Sequence, residues 1–139
     1  MNYLLDTCVI SELVAKRPNP QVIEWINRTE ETHLYLSVIT IGEIRKGIEK
    51  LAQSRRRTAL EEWLRDQLVV RFGGRIVPVG LEVMLRWGEL TGALESAGHP
   101  MLALDSLIAA TTLQGNFKLV TRNQEDFKYT RVALFNPWK

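Results

Sequence analysis

Tyr3-Leu4-Leu5-Asp6-Thr7 is a short apolar run that stops on a carboxylate. Three apolar residues with no helical spacing read as a buried strand, and the charge marks its end. The pattern returns at Leu34-Tyr35-Leu36-Ser37, at Arg75-Ile76-Val77-Pro78-Val79, at Lys118-Leu119-Val120-Thr121 and at Val132-Ala133-Leu134-Phe135. Pro78 lacks an amide proton and suits a strand end or edge. Between these runs the spacing is helical. A short helix is expected over Ser11–Ala15, stopped by Arg17-Pro18. Asn19 is placed to cap a second, with Pro20 in its first turn. Ile41, Ile44, Ile48 and Leu51 give an amphipathic helix from Thr40. Longer helices are expected over Arg57–Val70, Leu81–Ser96 and Met101–Leu113, ended by Gly73-Gly74, Gly98 and Gly115-Asn116. Strands alternating with helices make an α/β domain, a mainly parallel sheet of four to five strands between two helical layers. A chain of 139 residues fits one such domain.

Composition says little about function. The 18 basic and 16 acidic residues leave a net charge of +2, which neither requires nor excludes a nucleic-acid partner. Cys8 is the only cysteine, so no internal disulfide forms, in keeping with a reducing compartment. No basic residue precedes the first apolar run, which therefore does not read as a secretion signal. No apolar stretch has membrane-spanning length. A soluble cytoplasmic protein is the expectation.

In open parallel sheets ligands bind outside the carboxyl ends of the strands. Two polar clusters are expected to reach that edge: Asp6 after the first strand, and the turn Thr121-Arg122-Asn123 after the fourth. Asp105 is the strongest single carboxylate. It stands in Leu102-Ala103-Leu104-Asp105-Ser106-Leu107-Ile108, a helix that is apolar nearly all round. A charge buried there costs several kcal/mol unless it is paired or holds a metal; the two alternatives are a partner such as Arg122 and a cation. Glu43 lies on the flank of the apolar face of its helix, with Gly47 leaving space one turn on; the plain alternative is pairing with Lys46 or Lys50. Asp6 competes with a turn or cap role, although Thr7 and Ser11 can cap equally well. Asp126 sits in a polar loop and alone means little. Together the four suit a hard cation such as magnesium. The scarcity of His and the lack of paired Cys argue against zinc. His33 and His99 read as loop residues, and Cys8 as a packed side chain.

The sequences LLDTCVISE at 4–12, SVITIGEI at 37–44, ALDSLIAATTL at 103–113 and LVTRNQEDF at 119–127 follow in that order. In this order and spacing the chain resembles the PIN-domain toxins of the VapC type, in particular the FitB-like branch, down to the ending Phe135-Asn136-Pro137-Trp138. The resemblance implies a PIN-like fold and a Mg²⁺- or Mn²⁺-dependent ribonuclease of a type II toxin-antitoxin system. It implies inhibition by a small cognate antitoxin, a homodimer, and a larger complex with antitoxin on operator DNA. Asp6, Glu43 and Asp105 match its three core acids. Many relatives carry Asp directly after the Thr-Arg pair, where this chain has Asn123; others carry it three places later, where Asp126 stands. Relatives often have Asn or Ser in place of Cys8.

The expected chemistry is phosphodiester hydrolysis by metal-activated water, with Asp6 and Asp105 as main ligands and Glu43 and Asp126 completing the shell or holding a second ion. Products with a 5′-phosphate and a 3′-hydroxyl follow from the resemblance alone. Thr7, Ser37, Thr121 and Asn123 are expected to orient water or ligands, and Arg122 to meet a substrate phosphate or offset the acids. Arg55-Arg56-Arg57 reads as a solvated helix start, the alternative being an RNA track. The four Trp residues read as core or interface. Three rival functions remain. A phosphatase with Asp6 as nucleophile commonly needs a second Asp where Cys8 stands. A catalytically weak PIN scaffold would act only in an antitoxin–DNA complex. A structure-specific nuclease would cut DNA.

Overall fold

The computed structural model describes residues 1–139. Five parallel strands form the sheet: β1 Tyr3–Leu5, β2 Leu34–Ser37, β3 Ile76–Val77, β4 Lys118–Val120 and β5 Ala133–Phe135. Their order across it is β3-β2-β1-β4-β5. Tyr3 is level with Leu34 on one side and Lys118 on the other. The chain therefore builds outward from β1 in one direction, then returns to build in the other. The point of reversal lies between β1 and β4, where ligand crevices form in such sheets.

Adjacent strand residues face opposite layers. Leu5 and Val120 pack with Val9, Ile10, Val22, Ile26 and Phe72 on one side. Leu4 and Leu119 pack with Ile108, Ala109 and Phe127 on the other. Both sheet faces are thus covered, which is why the strands read as continuous apolar runs and not as alternating ones. The Trp residues are largely structural. Trp25 packs edge-on against Tyr3 and tilted against Phe135. Trp87 donates to Ser106 Oγ at 2.9 Å.

The helices are α1 Thr7–Glu12, α2 Pro20–Arg28, α3 Val38–Glu49, α4 Arg55–Trp63, α5 Val69–Arg71, α6 Leu81–Ser96 and α7 Ala103–Gln114. Four differ from expectation: α7 begins at Ala103, two residues after Met101, and three others shift as follows. α1 begins at Thr7, not Ser11, because Asp6 itself is the N-cap and accepts from Thr7 N–H. α3 begins at Val38, two residues before Thr40, because Ser37 caps it by accepting from Ile39 N–H. The expected Arg57–Val70 helix starts at Arg55 and is interrupted by a π turn at Leu64–Leu68. Asn19 caps α2 as expected, accepting from Gln21 and Val22. The Arg55-Arg56-Arg57 stretch is not simply solvated. Arg57 donates to the Glu49 and Leu51 carbonyls at the end of α3, and Arg56 to the Val14 carbonyl. No helix is long and apolar enough to cross a membrane.

Candidate functional site

The site forms where β1 and β4 end. Asp6 continues β1, and its amide donates to Val120 O at 3.0 Å. This bond ties the residue to the neighbouring strand and aims its side chain into the reversal point. Oδ1 accepts from Thr7 N–H at 2.8 Å, and Oδ2 accepts from Thr121 Oγ1–H at 2.7 Å. Asp6 is only 9% exposed. Burial holds its carboxyl above the ordinary carboxylate value; the Thr121 and Thr7 bonds oppose that, and the charges of Glu43 and Asp126 add to it. Asp6 caps α1 through Oδ1 while Oδ2 accepts from Thr121, so the cap role leaves its carboxylate within the acid cluster.

Thr121 is fully buried directly after β4. It donates to Asp6 and accepts from Asn123 N–H at 3.0 Å, which fixes the turn that follows. Asn123 is exposed and leads into the 3-10 turn Gln124–Phe127 that carries Asp126. On the other side, Thr7 Oγ1 donates to Glu43 Oε1 at 2.6 Å and lies 3.2 Å from Thr40 Oγ1. Thr40, buried one turn before Glu43, was not singled out in the sequence. Its spacing of three from Glu43 on one helix face is the signal that could have found it. Ser37 is fully buried and caps α3, the helix that carries Glu43.

Asp105 lies in the first turn of α7 and is half-buried. Its carboxyl is raised from 3.8 to about 6, first by burial, then by repulsion from Asp126, Asp6 and Glu43. The four acids thus sense one another across three helices and a loop. None of them forms an ion pair with Lys, Arg or His. The pairings considered for Glu43 with Lys46 or Lys50, and for Asp105 with Arg122, are absent. Arg122 instead lies over the Trp138 ring at 5.6 Å. Cys8 is a half-buried thiol 3.9 Å from Asp6 Oδ2, pushed up by burial and then by Asp6, which makes it a packed group and not a nucleophile.

No three His, Cys, Asp or Glu side chains converge closely enough to hold one ion as they stand. Magnesium takes only one or two carboxylates directly and reaches the others through water. An all-oxygen donor set with no basic partner, in which the Asp6 and Asp105 carboxyls are raised, therefore fits a hard divalent cation.

The PIN domain family matches residues 3–133 of this chain. The chain belongs to the PIN domain family. Toxin FitB of Neisseria gonorrhoeae is 35% identical over 135 residues, 97% of each protein. VapC ribonuclease Y4jK of Sinorhizobium fredii is 32% identical over 136 residues, 98% of this chain and 97% of that one. The solved structure of FitAB bound to an IR36 DNA fragment superposes with a TM-score of 0.93 at 34% identity, covering 99% of this chain and 96% of that one. The α/β fold read from the alternating runs is that of a PIN domain.

Proposed function

We propose that this PIN domain is the toxin of a type II toxin-antitoxin system, a divalent-metal-dependent endoribonuclease. The observation that carries the proposal is the set of four carboxylates at the sheet's reversal point, Asp6, Glu43, Asp105 and Asp126, without a basic partner. A structural acid cluster of this kind destabilises the fold, so it needs a cation to justify it. The names of FitB and of the VapC ribonuclease support the reaction class.

Asp6, Glu43 and Asp105 would hold Mg²⁺ or Mn²⁺, with Asp126 from the loop as fourth. When bound, the cation supplies charge neutralisation at the phosphate and acidifies a water molecule at neutral pH. The chain's own residues prepare that site. Thr121 and the Thr7 amide each donate to one oxygen of Asp6 and so hold its carboxylate in a single orientation. Thr7 Oγ1 holds Glu43 in a single orientation. The Asn123 carbonyl accepts from Asp126 N–H at 3.1 Å and so sets the turn that carries Asp126, and Arg122, free of carboxylates, meets an incoming phosphate.

The partners follow the same reading. A cleft of about 200 Å³ beside Glu43 is lined by Val14, Ile44, Ile48, Leu51, Leu60 and Trp63. It suits an apolar helix of a small antitoxin that covers the acids. A homodimer finds support in α6, which exposes Leu81 by 72% and Leu85 by 55%. The FitAB structure on DNA supports a larger assembly with antitoxin on operator DNA.

The test is cleavage of RNA with added Mg²⁺ or Mn²⁺ by the wild type, Asp6→Asn and Asp105→Asn. Both variants are expected to lose at least about a hundredfold in rate. Equal cutting by all three would remove the site. Complex formation without any cutting would favour the catalytically weak scaffold, and preferential cutting of structured DNA the DNA nuclease.

A further inference from the structure

A cavity of about 380 Å³ opens beside the carboxylates. Asp105 and Asp126 form one wall. His99, Met101, Leu102 and Tyr129 form the rest of what matters here. The hydrolytic chemistry uses none of these last four.

His99 and Tyr129 are stacked, with ring centroids 3.7 Å apart and planes within 8° of parallel. The stack is not core. Tyr129 is 56% exposed, and Leu102 beside it is 77% exposed. Large apolar groups left in solvent around a cavity gain nothing by burial and mark a ligand surface.

Both rings are held in advance by their backbones. Gly98, at φ +81°, ends α6 in the left-handed region. His99 N–H then donates to Leu94 O at 2.8 Å and Gly98 N–H to Glu95 O at 3.1 Å, a paired C-terminal cap that fixes where His99 emerges. On the other side, Thr130 donates to Phe127 O from both its amide and its hydroxyl, at 3.0 and 2.6 Å. This turn fixes the backbone from which Tyr129 projects, two residues after the buried Phe127. A platform set up before its ligand arrives loses little entropy on binding.

We propose that the His99–Tyr129 stack receives one unpaired nucleobase of the RNA strand and so helps decide where the strand is cut. The proposal rests on the ribonuclease reading. Unpaired bases bind proteins by extending aromatic stacks, largely irrespective of base identity. The cavity shares Asp105 and Asp126 with the acid cluster, so a base on the stack belongs to a nucleotide next to the scissile phosphate. Lys128 Nζ, paired with Glu125 at 2.6 Å, lies over the Tyr129 ring at 5.1 Å from its centroid and supports the stack from that side.

The experiment pairs protein variants with altered substrate. Single-stranded RNA oligonucleotides carry one abasic position, scanned along the sequence around a mapped cut. For the wild type, loss of the base at one position flanking the cut is expected to raise KM about tenfold. Tyr129→Ala is expected to raise KM about tenfold on intact RNA. On RNA abasic at that position it should show no further loss, because base and ring act as one contact. Tyr129→Phe, which keeps the stack, should match the wild type, and this separates stacking from misfolding. Losses that multiply, or a Tyr129→Ala protein with unchanged KM and cut positions, would overturn the proposal.

A second measurement is independent of cutting. 2-Aminopurine, moved one position at a time along the oligonucleotide, should be quenched at one position on binding to the wild type and not on binding to Tyr129→Ala or His99→Ala. If no RNA is cut, the ribonuclease reading fails, and the quenching still decides whether the stack takes a base. Equal quenching by wild type and both variants overturns the stack proposal by itself.

Discussion

Replacing Asp105 by Asn should make the metal-free protein more stable at neutral pH while abolishing its activity. In the fold its carboxyl titrates at about 6 against an ordinary 3.8. A raised folded value means that the native state holds the proton more tightly than the unfolded chain. The stability this contributes is complete below about pH 3.8 and is lost as pH rises through about 6. At neutral pH the ionised group therefore works against folding. The gap between the two values corresponds to about 3 kcal/mol. Asp105 is only half-buried, and solvent screening leaves about 1.5 kcal/mol of that. Its place in the first turn of α7 favours an anion by about 0.5 kcal/mol, which the substitution forfeits. The net gain is about 1 kcal/mol, or about 3 °C in Tm for a domain of this size. The assay is thermal unfolding by circular dichroism in EDTA near pH 7.5 and near pH 5, where the gain should shrink as wild-type Asp105 takes up its proton. Added Mg²⁺ should reverse the order, since a cation at a hundred times its Kd stabilises the wild type by about 2.7 kcal/mol. An Asp105→Asn protein that melts at or below the wild type in EDTA near pH 7.5 would refute the view that burial and the neighbouring acids disfavour the Asp105 carboxylate in the fold.

Three further outcomes are expected. Thr121→Val keeps the volume but removes the hydroxyl that donates to Asp6 and accepts from Asn123; RNA cleavage should fall about 10–100-fold, with a higher Mg²⁺ requirement in a metal titration. Arg57→Ala removes the bonds to the Glu49 and Leu51 carbonyls and should lower stability by about 2 kcal/mol by chemical denaturation. Its KM for RNA should not change, whereas an RNA-track role would raise KM and flatten the salt dependence. Gly98→Ala forces a Cβ into the left-handed backbone at φ +81° and should cost about 1 kcal/mol in the same denaturation assay.

The strand runs were legible because both sheet faces are buried. Continuous apolar runs bounded by turn residues leave few other readings, and all five were found within two residues at either end. Helix starts were less legible, because a cap can be supplied by a residue already assigned another task. Asp6 and Ser37 both close strands and open helices. The break in the Arg57–Val70 helix had no sequence signal: Leu64–Leu68 contains neither Gly nor Pro.

The carboxylates divide in the same way. Asp105 was conspicuous because a charge among apolar helical residues contradicts its surroundings, a local property. Asp6 was marked by ending the first strand. Glu43 and Asp126 had to be carried by resemblance, since a flank glutamate and a loop aspartate look like solvated charges. Only the tertiary structure shows that their charges reach Asp105, because that depends on β1 and β4 being neighbours though 112 residues separate the end of one from the start of the other. The same closure brings Thr121 to Asp6, and it stacks His99 on Tyr129, which lie on different turns 30 residues apart. By itself the sequence determined the elements, the layers and the edge on which the polar groups gather, since hydrophobic period and turn chemistry are local. The tertiary structure decided which acids share a field and which rings share a cavity. Those relations depend on distances across the sheet that no local pattern encodes.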